Sequence, residues 1–166
     1  QFLIAGGDGV SYGARLPNGE TYRQRLLSEV AIDPARVHFL GNIPYRQFIR
    51  LLQVSSVHVY LTYPFVLSWS ALEAMAAECL LVASDTAPVT EVIEDGRNGL
   101  LVDFFSPTAI ADRVEEALDG GARWDELRRA ARAAILERYR LEDCLARHVR
   151  LIEDTAAGAR SGGRQV

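Results

Sequence analysis

The sequence contains no lysine: all 18 of its basic residues are arginine, set against 22 acidic ones for a net charge of −4. Chemistry that needs a primary amine is thereby excluded, whether a P-loop lysine, a Schiff base or an ammonium group holding a phosphate. The acidic balance also lacks the basic footprint of a nucleic-acid binder. Cys79 and Cys144 are too few and too distant for a disulfide framework or a metal cage. His38, His58 and His148 are scattered, so no metal site is expected. Residues 53–72 carry no Asp, Glu or Arg, but Ser55, Ser56, His58, Pro64 and Ser68 interrupt them, and a transmembrane helix is not expected. The opening QFLIAGGDG lacks the basic flank of a signal peptide, and a cytoplasmic protein is expected. Because it begins inside a strand, the chain reads as a fragment of something longer.

What is present is an ordinary globular composition: 166 residues, 49% hydrophobic and 24% charged, enough for one sizeable core. Short apolar runs at 2–5, 37–40, 57–61, 80–83 and 100–102 predict five strands. Residues 10–20 read as a polar loop. Helical spacing follows at 21–30, and again after Pro44 with Tyr45, Phe48, Ile49 and Leu52. Residues 107–118, 124–139 and 141–152 predict additional C-terminal helices, and 156–166 a disordered tail. Val/Ile/Leu strands alternating with helices predict an α/β fold, a Rossmann-like, doubly wound parallel sheet over residues 1–155. In such a domain ligands bind beyond the carboxyl ends of the strands.

Three segments follow strands and so qualify as site candidates. Gly6-Gly7-Asp8-Gly9 lacks the dinucleotide fingerprint, because Val10, Ser11 and Tyr12 follow. It is either a tight turn needing positive φ or a place where Gly7 and Gly9 let a ligand approach the backbone. Gly41, Asn42 and Ile43 either line a flat base with their backbone or form an ordinary loop. After the third strand, Ser68 is a plausible helix N-cap, which leaves the N–H groups of Trp69, Ser70 and Ala71 for a phosphate. One turn further lies Glu73, the first acidic residue after Asp33, among Trp69, Leu72, Met75 and Ala76. A carboxylate in apolar surroundings needs hydrogen bonds or a counter-charge. The hydroxyls of a ribose, a neighbouring backbone N–H or a distant arginine would each serve. Patterns for nucleophilic catalysis are missing, and no catalytic residue is assigned.

The stretch LSWSALEAMAAECLLVASDTAPVTEVIEDGRNGLLVDFFSP resembles the carboxyl-terminal core of the retaining, family-4-like glycosyltransferases of the GT-B fold. Residues 71–76, 82–85, 91–93, 95–96, 98–102 and Pro107 match in order and spacing, as do FLIAGGDG and RVHFLGNIP. The resemblance covers about residues 1–155. It implies the donor-binding half of a hexosyltransferase-like enzyme, acting in carbohydrate biosynthesis. Such an enzyme moves a sugar from a nucleotide diphosphate sugar to an acceptor hydroxyl with retention, without an obligatory metal or cofactor. It further implies that Glu73 binds the donor ribose and that the backbone of Val66, Leu67, Ser68, Trp69 and Ser70 holds the diphosphate. Gly41, Asn42 and Ile43 would wall the base, with Gly7 and Gly9 near the cleft. Where the family carries a first glutamate facing the transferred sugar, this sequence has Phe65. Glu78 and Ala87-Pro88 replace glycines of the pattern. The family's phosphate-binding Arg and Lys and its amino-terminal acceptor domain are absent from this chain, and any peripheral membrane contact would run through that domain. The chain alone is therefore expected to fold but not to catalyse. The apolar residues Leu145, Val149 and Ile152 would be partly exposed or buried in a homodimer. The alternative is a non-catalytic nucleotide-binding or interaction module of the same fold, with a sugar epimerase as a more distant one.

Overall fold

The computed structural model describes residues 1–10, 13–63 and 65–162. Ser11 and Tyr12 of the predicted polar loop, Pro64 of the interrupted apolar stretch and residues 163–166 of the predicted tail lie outside the described residues. The chain divides into two compact units, Gln1–Leu51 and Leu52–Val166.

The first unit holds β1 (Phe2–Ala5), α1 (Tyr22–Glu29), β2 (Val37–Gly41) and most of α2 (Tyr45–Val54). β1 and β2 pair in parallel, Phe2 opposite Val37 and Ile4 opposite Phe39. A capping box starts α1: Gln24 N–H donates to the Thr21 hydroxyl while the Gln24 side chain accepts from Thr21 N–H. Pro44 stands immediately before α2, its carbonyl accepting from Gln47 and Phe48. The sequence predicts one sizeable core, yet no described residue of 1–51 is buried, and Phe2, Leu3 and Ile4 stay close to half exposed. Two strands and their helices are too few layers to enclose a core.

In the second unit, β3 (Val57–Tyr60), β4 (Leu80–Ser84) and β5 (Leu100–Val102) form a parallel sheet with β4 central. Helices α3 (Trp69–Ala76), α4 (Ala87–Thr90), α5 (Pro107–Asp119), α6 (Asp125–Arg138) and α7 (Leu141–Gly162) complete it. Every strand pair of the described chain is parallel, so the α/β class stands, with the five strands in sheets of two and three. All residues of β4 are buried. Leu80 and Val82 pack with Leu100, Val114, Trp124 and Leu127, while Leu81 and Ala83, turned to the other face by strand alternation, are buried as well. Both faces of β4 are thus covered, and truncating a side chain such as Leu80 costs about 2–5 kcal/mol. α3 turns Ala71, Ala74 and Met75 inward, and its small residues allow close packing on α6.

The EDGRNG turn owes its residues to the fold. Asn98 is buried, accepting from Glu94 N–H at 2.8 Å and donating to Val92 O at 3.0 Å. Asp95 accepts from Leu101 N–H at 2.8 Å and pairs with Arg113 at 3.2 Å. A Cβ on Gly99 would sit 2.7 Å from Ile93 Cγ2.

At the carboxyl end two expectations change. The last helix runs to Gly162, ten residues beyond the predicted end at Ile152 and into the segment expected to be disordered. Glu153, Ala156 and Ala157 are good helix formers and carry the helix past that point. Leu145, Val149 and Ile152 are exposed on it. α4, unanticipated, is one turn built on Pro88 near its start.

Candidate nucleotide-sugar site

In the first unit, β1 is followed by Gly6, whose N–H donates to Gly41 O at 2.9 Å. Gly6 adopts φ of 146°, so the turn reading holds there, and Gly41 has a positive φ of 63° as well. Gly7 matters for space instead: a Cβ there would lie 3.1 Å from the Asn42 side chain. The structure therefore brings Gly7 and Asn42 together, whereas a Cβ on Gly9 would point into open space and Gly9 has no positive φ. Asp8 pairs with Arg23 at 3.3 Å, and that guanidinium lies 4.0 Å above the Phe39 ring. Gly41 and Ile43 are half-buried and Asn42 is exposed.

In the second unit, the loop from β3 to α3 is pinned from below. Tyr60, the buried last residue of β3, accepts a hydrogen bond from Ser68 N–H at 2.7 Å and donates to Val66 O at 3.5 Å. The buried Ser84 hydroxyl, at the end of β4, accepts from Thr62 N–H and donates to Thr62 O, both at 3.0 Å. Neither anchor was legible in the sequence, where Tyr60 and Ser84 look like ordinary strand ends. Held this way, the loop displays Phe65, Val66 and Trp69 outward, with Trp69 81% exposed. Phe65 is thus not in the core.

Ser68 is the N-cap of α3, as expected, but it uses up donors it was expected to leave free. Ser70 N–H donates to the Ser68 hydroxyl at 3.2 Å and Ala71 N–H to Ser68 O at 3.2 Å. Of the three N–H groups predicted for a phosphate, two are satisfied within the chain, one by the cap hydroxyl, which competes directly with an anion, and one by the backbone carbonyl of the same residue. Glu73 lies one turn further on, half-buried where the sequence predicted burial. The buried stripe of α3 is Ala71, Ala74 and Met75, and Glu73 falls at its margin.

Beyond these segments, Asp85 and Asp103 are exposed at the carboxyl ends of β4 and β5. Two open concavities of about 400 and 390 Å³ lie elsewhere, one lined by Arg23, Leu27 and Phe39, the other by Asp112, Arg113 and Glu116. Neither includes a residue predicted for the site. Among the described residues no three His, Cys, Asp or Glu side chains converge as a metal centre, and no helix is long and apolar enough to cross a membrane.

Residues 1–135 match the family model described as glycosyl transferases group 1. The chain belongs to this family. Among curated relatives, the D-inositol 3-phosphate glycosyltransferase of Nocardioides sp. is 30% identical over 134 residues, 78% of this chain and 28% of its own length. The enzyme of that name from Acidothermus cellulolyticus is 27% identical over 135 residues, 81% of this chain and 29% of its own. Among solved structures, HepE from Anabaena in complex with UDP-glucose superimposes with a TM-score of 0.77 at 15% identity, over 92% of this chain and 40% of that one. Sucrose-phosphate synthase from Thermosynechococcus elongatus gives 0.77 at 22% identity, over 94% of this chain and 38% of that one. The chain thus has a Rossmann-like fold of the GT-B type and spans well under half the length of each of these proteins.

Proposed function

We propose that this group 1 chain is the donor-binding part of a glycosyltransferase that moves a hexosyl group from a nucleotide diphosphate sugar to an acceptor hydroxyl, with retention of configuration. The observation that carries the reading is the position of Glu73 on a serine-capped helix directly beyond the carboxyl end of β3, where ligands of parallel sheets bind. In this reading Glu73 accepts hydrogen bonds from the ribose hydroxyls. The Val66–Ser70 backbone meets the diphosphate, with a phosphate oxygen replacing the Ser68 hydroxyl at Ser70 N–H. In the first unit, the Gly41, Asn42 and Ile43 backbone offers a flat wall to a base. Phe65 meets the transferred sugar by contact rather than by hydrogen bonds. The reaction takes place in the cytoplasm, in keeping with two free cysteines. It requires no resident metal, and the departing diphosphate is stabilised by fixed dipoles and cations. The exposed apolar face of α7 serves the acceptor-binding part of a longer protein, without which the chain does not catalyse.

A second reading, a nucleotide-binding module without transferase chemistry, is favoured only by Phe65 at a position where the resembled family carries an acid. Calorimetric titration of the chain with UDP-glucose and GDP-mannose tests the main proposal. Saturable binding of one of them with one site per chain is expected. A folded sample that binds neither at millimolar concentration overturns it.

A further inference from the structure

Arg23 stands in the first turn of α1, and its side chain is held at two points. One guanidinium nitrogen lies 3.3 Å from the Asp8 carboxylate, and the guanidinium carbon sits 4.0 Å above the centre of the Phe39 ring. Both anchors belong to the ligand end of the parallel pair β1–β2. Asp8 comes three residues after β1 ends, and Phe39 two residues before β2 ends. They also adjoin the backbone proposed as the base wall. Asp8 follows Gly7, where a Cβ would lie 3.1 Å from the Asn42 side chain, and Gly41 is no more than about 7 Å along the chain from Phe39. Holding an arginine in this way adds little to stability. Its ion pair is exposed, the Arg23 side chain by 38%, and no described residue of 1–51 is buried, so Arg23 seals no core. A guanidinium is planar and stacks on aromatic faces. With Phe39 behind it, Arg23 presents its other face to the concavity of about 400 Å³ that it lines.

The lining of the concavity selects its occupant. Leu27, Ile32, Pro34 and Val37 give it apolar walls, and His38 has its Nε2 2.6 Å from the Gln1 side-chain oxygen. Arg23 is the one permanent charge among the lining residues, and Asp8 balances it; Asp33 and Arg36 flank the site in sequence but do not line it. A phosphate would have to compete with Asp8 for the guanidinium. An aliphatic group would leave the guanidinium face unused. A neutral planar ring uses both features, stacking on the guanidinium and setting its rim against the apolar walls. We propose that Arg23, backed by Phe39 and pinned by Asp8, binds the nucleobase of the donor, which stacks on its exposed face with one edge toward the backbone of Gly41, Asn42 and Ile43. This inference rests on the nucleotide-sugar reading and adds to it the group that grips the base.

The test is calorimetric titration of the whole chain with UDP, GDP, ADP and base-free pyrophosphate, repeated on Arg23→Lys and Phe39→Leu with circular dichroism as the control for folding. Lysine keeps the charge beside Asp8 but has no planar face. At least one nucleotide is expected to bind, with an affinity that falls about tenfold in each variant while pyrophosphate binding stays unchanged. In saturation-transfer NMR, the base protons of that nucleotide should receive more saturation than its ribose protons. Full nucleotide affinity in Arg23→Lys overturns the proposal. An equal loss for nucleotide and pyrophosphate overturns it too, because Arg23 would then be a phosphate contact. So does sedimentation showing a dimer that Phe39→Leu dissociates, since a second copy would then fill the concavity. If the folded chain binds none of the three nucleotides at millimolar concentration, this inference falls together with the nucleotide reading. Nucleotide binding that Arg23→Lys leaves intact sinks this inference alone.

Discussion

Glu78 sits where the resembled family places glycine, and its backbone shows why: φ is +59°, in the left-handed region. It closes α3 with both hydrogen bonds of a Schellman motif, Cys79 N–H to Ala74 O at 3.0 Å and Glu78 N–H to Met75 O at 3.1 Å. A non-glycine residue there costs about 1–2 kcal/mol. Part of that cost is offset by Arg132 of α6, which donates to Ala76 O and lies 3.5 Å from the Glu78 carboxylate. Both side chains are 47% exposed, so the ion pair contributes about 0–1 kcal/mol. Glu78→Gly relieves the strain but loses the pair, and its freer unfolded chain costs about 0.4–1 kcal/mol.

The decisive comparison is Glu78→Gly against Glu78→Ala. Both delete the carboxylate, so the ion pair cancels. What remains is strain relief of about 1.5 kcal/mol less about 0.7 kcal/mol of chain entropy, about 0.8 kcal/mol in favour of glycine. For a chain of this size that is about 2–3 °C in Tm. Thermal and urea denaturation of the two variants, followed by circular dichroism, measures it. Alanine as stable as glycine, or more so, would refute the strain assigned to this turn.

Three further outcomes are expected. His58 has a buried Nε2 with no hydrogen-bond partner, and burial holds its pKa below the usual histidine value. The unfolded chain therefore binds the proton more readily: the stability linked to His58 is present above about pH 6.5 and is lost as pH falls below it. Tm should drop between pH 7.5 and pH 5.5, and His58→Leu should flatten that slope. Burial also pushes the Cys79 thiol up to about 11, so a disulfide-exchange reagent at pH 8 should label Cys144 in the native chain and Cys79 only after denaturation. Tyr60→Phe leaves Ser68 N–H without its acceptor and should cost about 1–3 kcal/mol in denaturant unfolding, with nucleotide affinity falling as the loop loosens. An unchanged midpoint would show that the Tyr60 anchor contributes nothing.

The five strands were legible because each is a short aliphatic run between turn residues, and the signal was strongest at β4, where every residue is buried. The same signal misled at β1: the run FLIA has the composition of a buried strand, but burial depends on covering layers that a local pattern does not encode. The cap at Ser68 was legible from its place before an apolar helix, whereas its effect on the helix-end donors depended on the side-chain rotamer. Glu73 was legible as the first acid in a long uncharged stretch, but its half-buried state follows from which stripe of α3 faces inward. The anchors Tyr60 and Ser84 were invisible because each acts through a hydrogen bond to a loop whose path only the fold determines.

The most direct test of the nucleotide-sugar reading is the effect of Glu73→Gln on UDP binding, measured by calorimetry beside the Tm of the same sample. A ribose-binding carboxylate forms charge-assisted hydrogen bonds worth about 1.5–3 kcal/mol, so affinity should fall about tenfold to a hundredfold while Tm moves little. A sharp fall in Tm with unaltered affinity would contradict the account and make Glu73 a structural residue of α3.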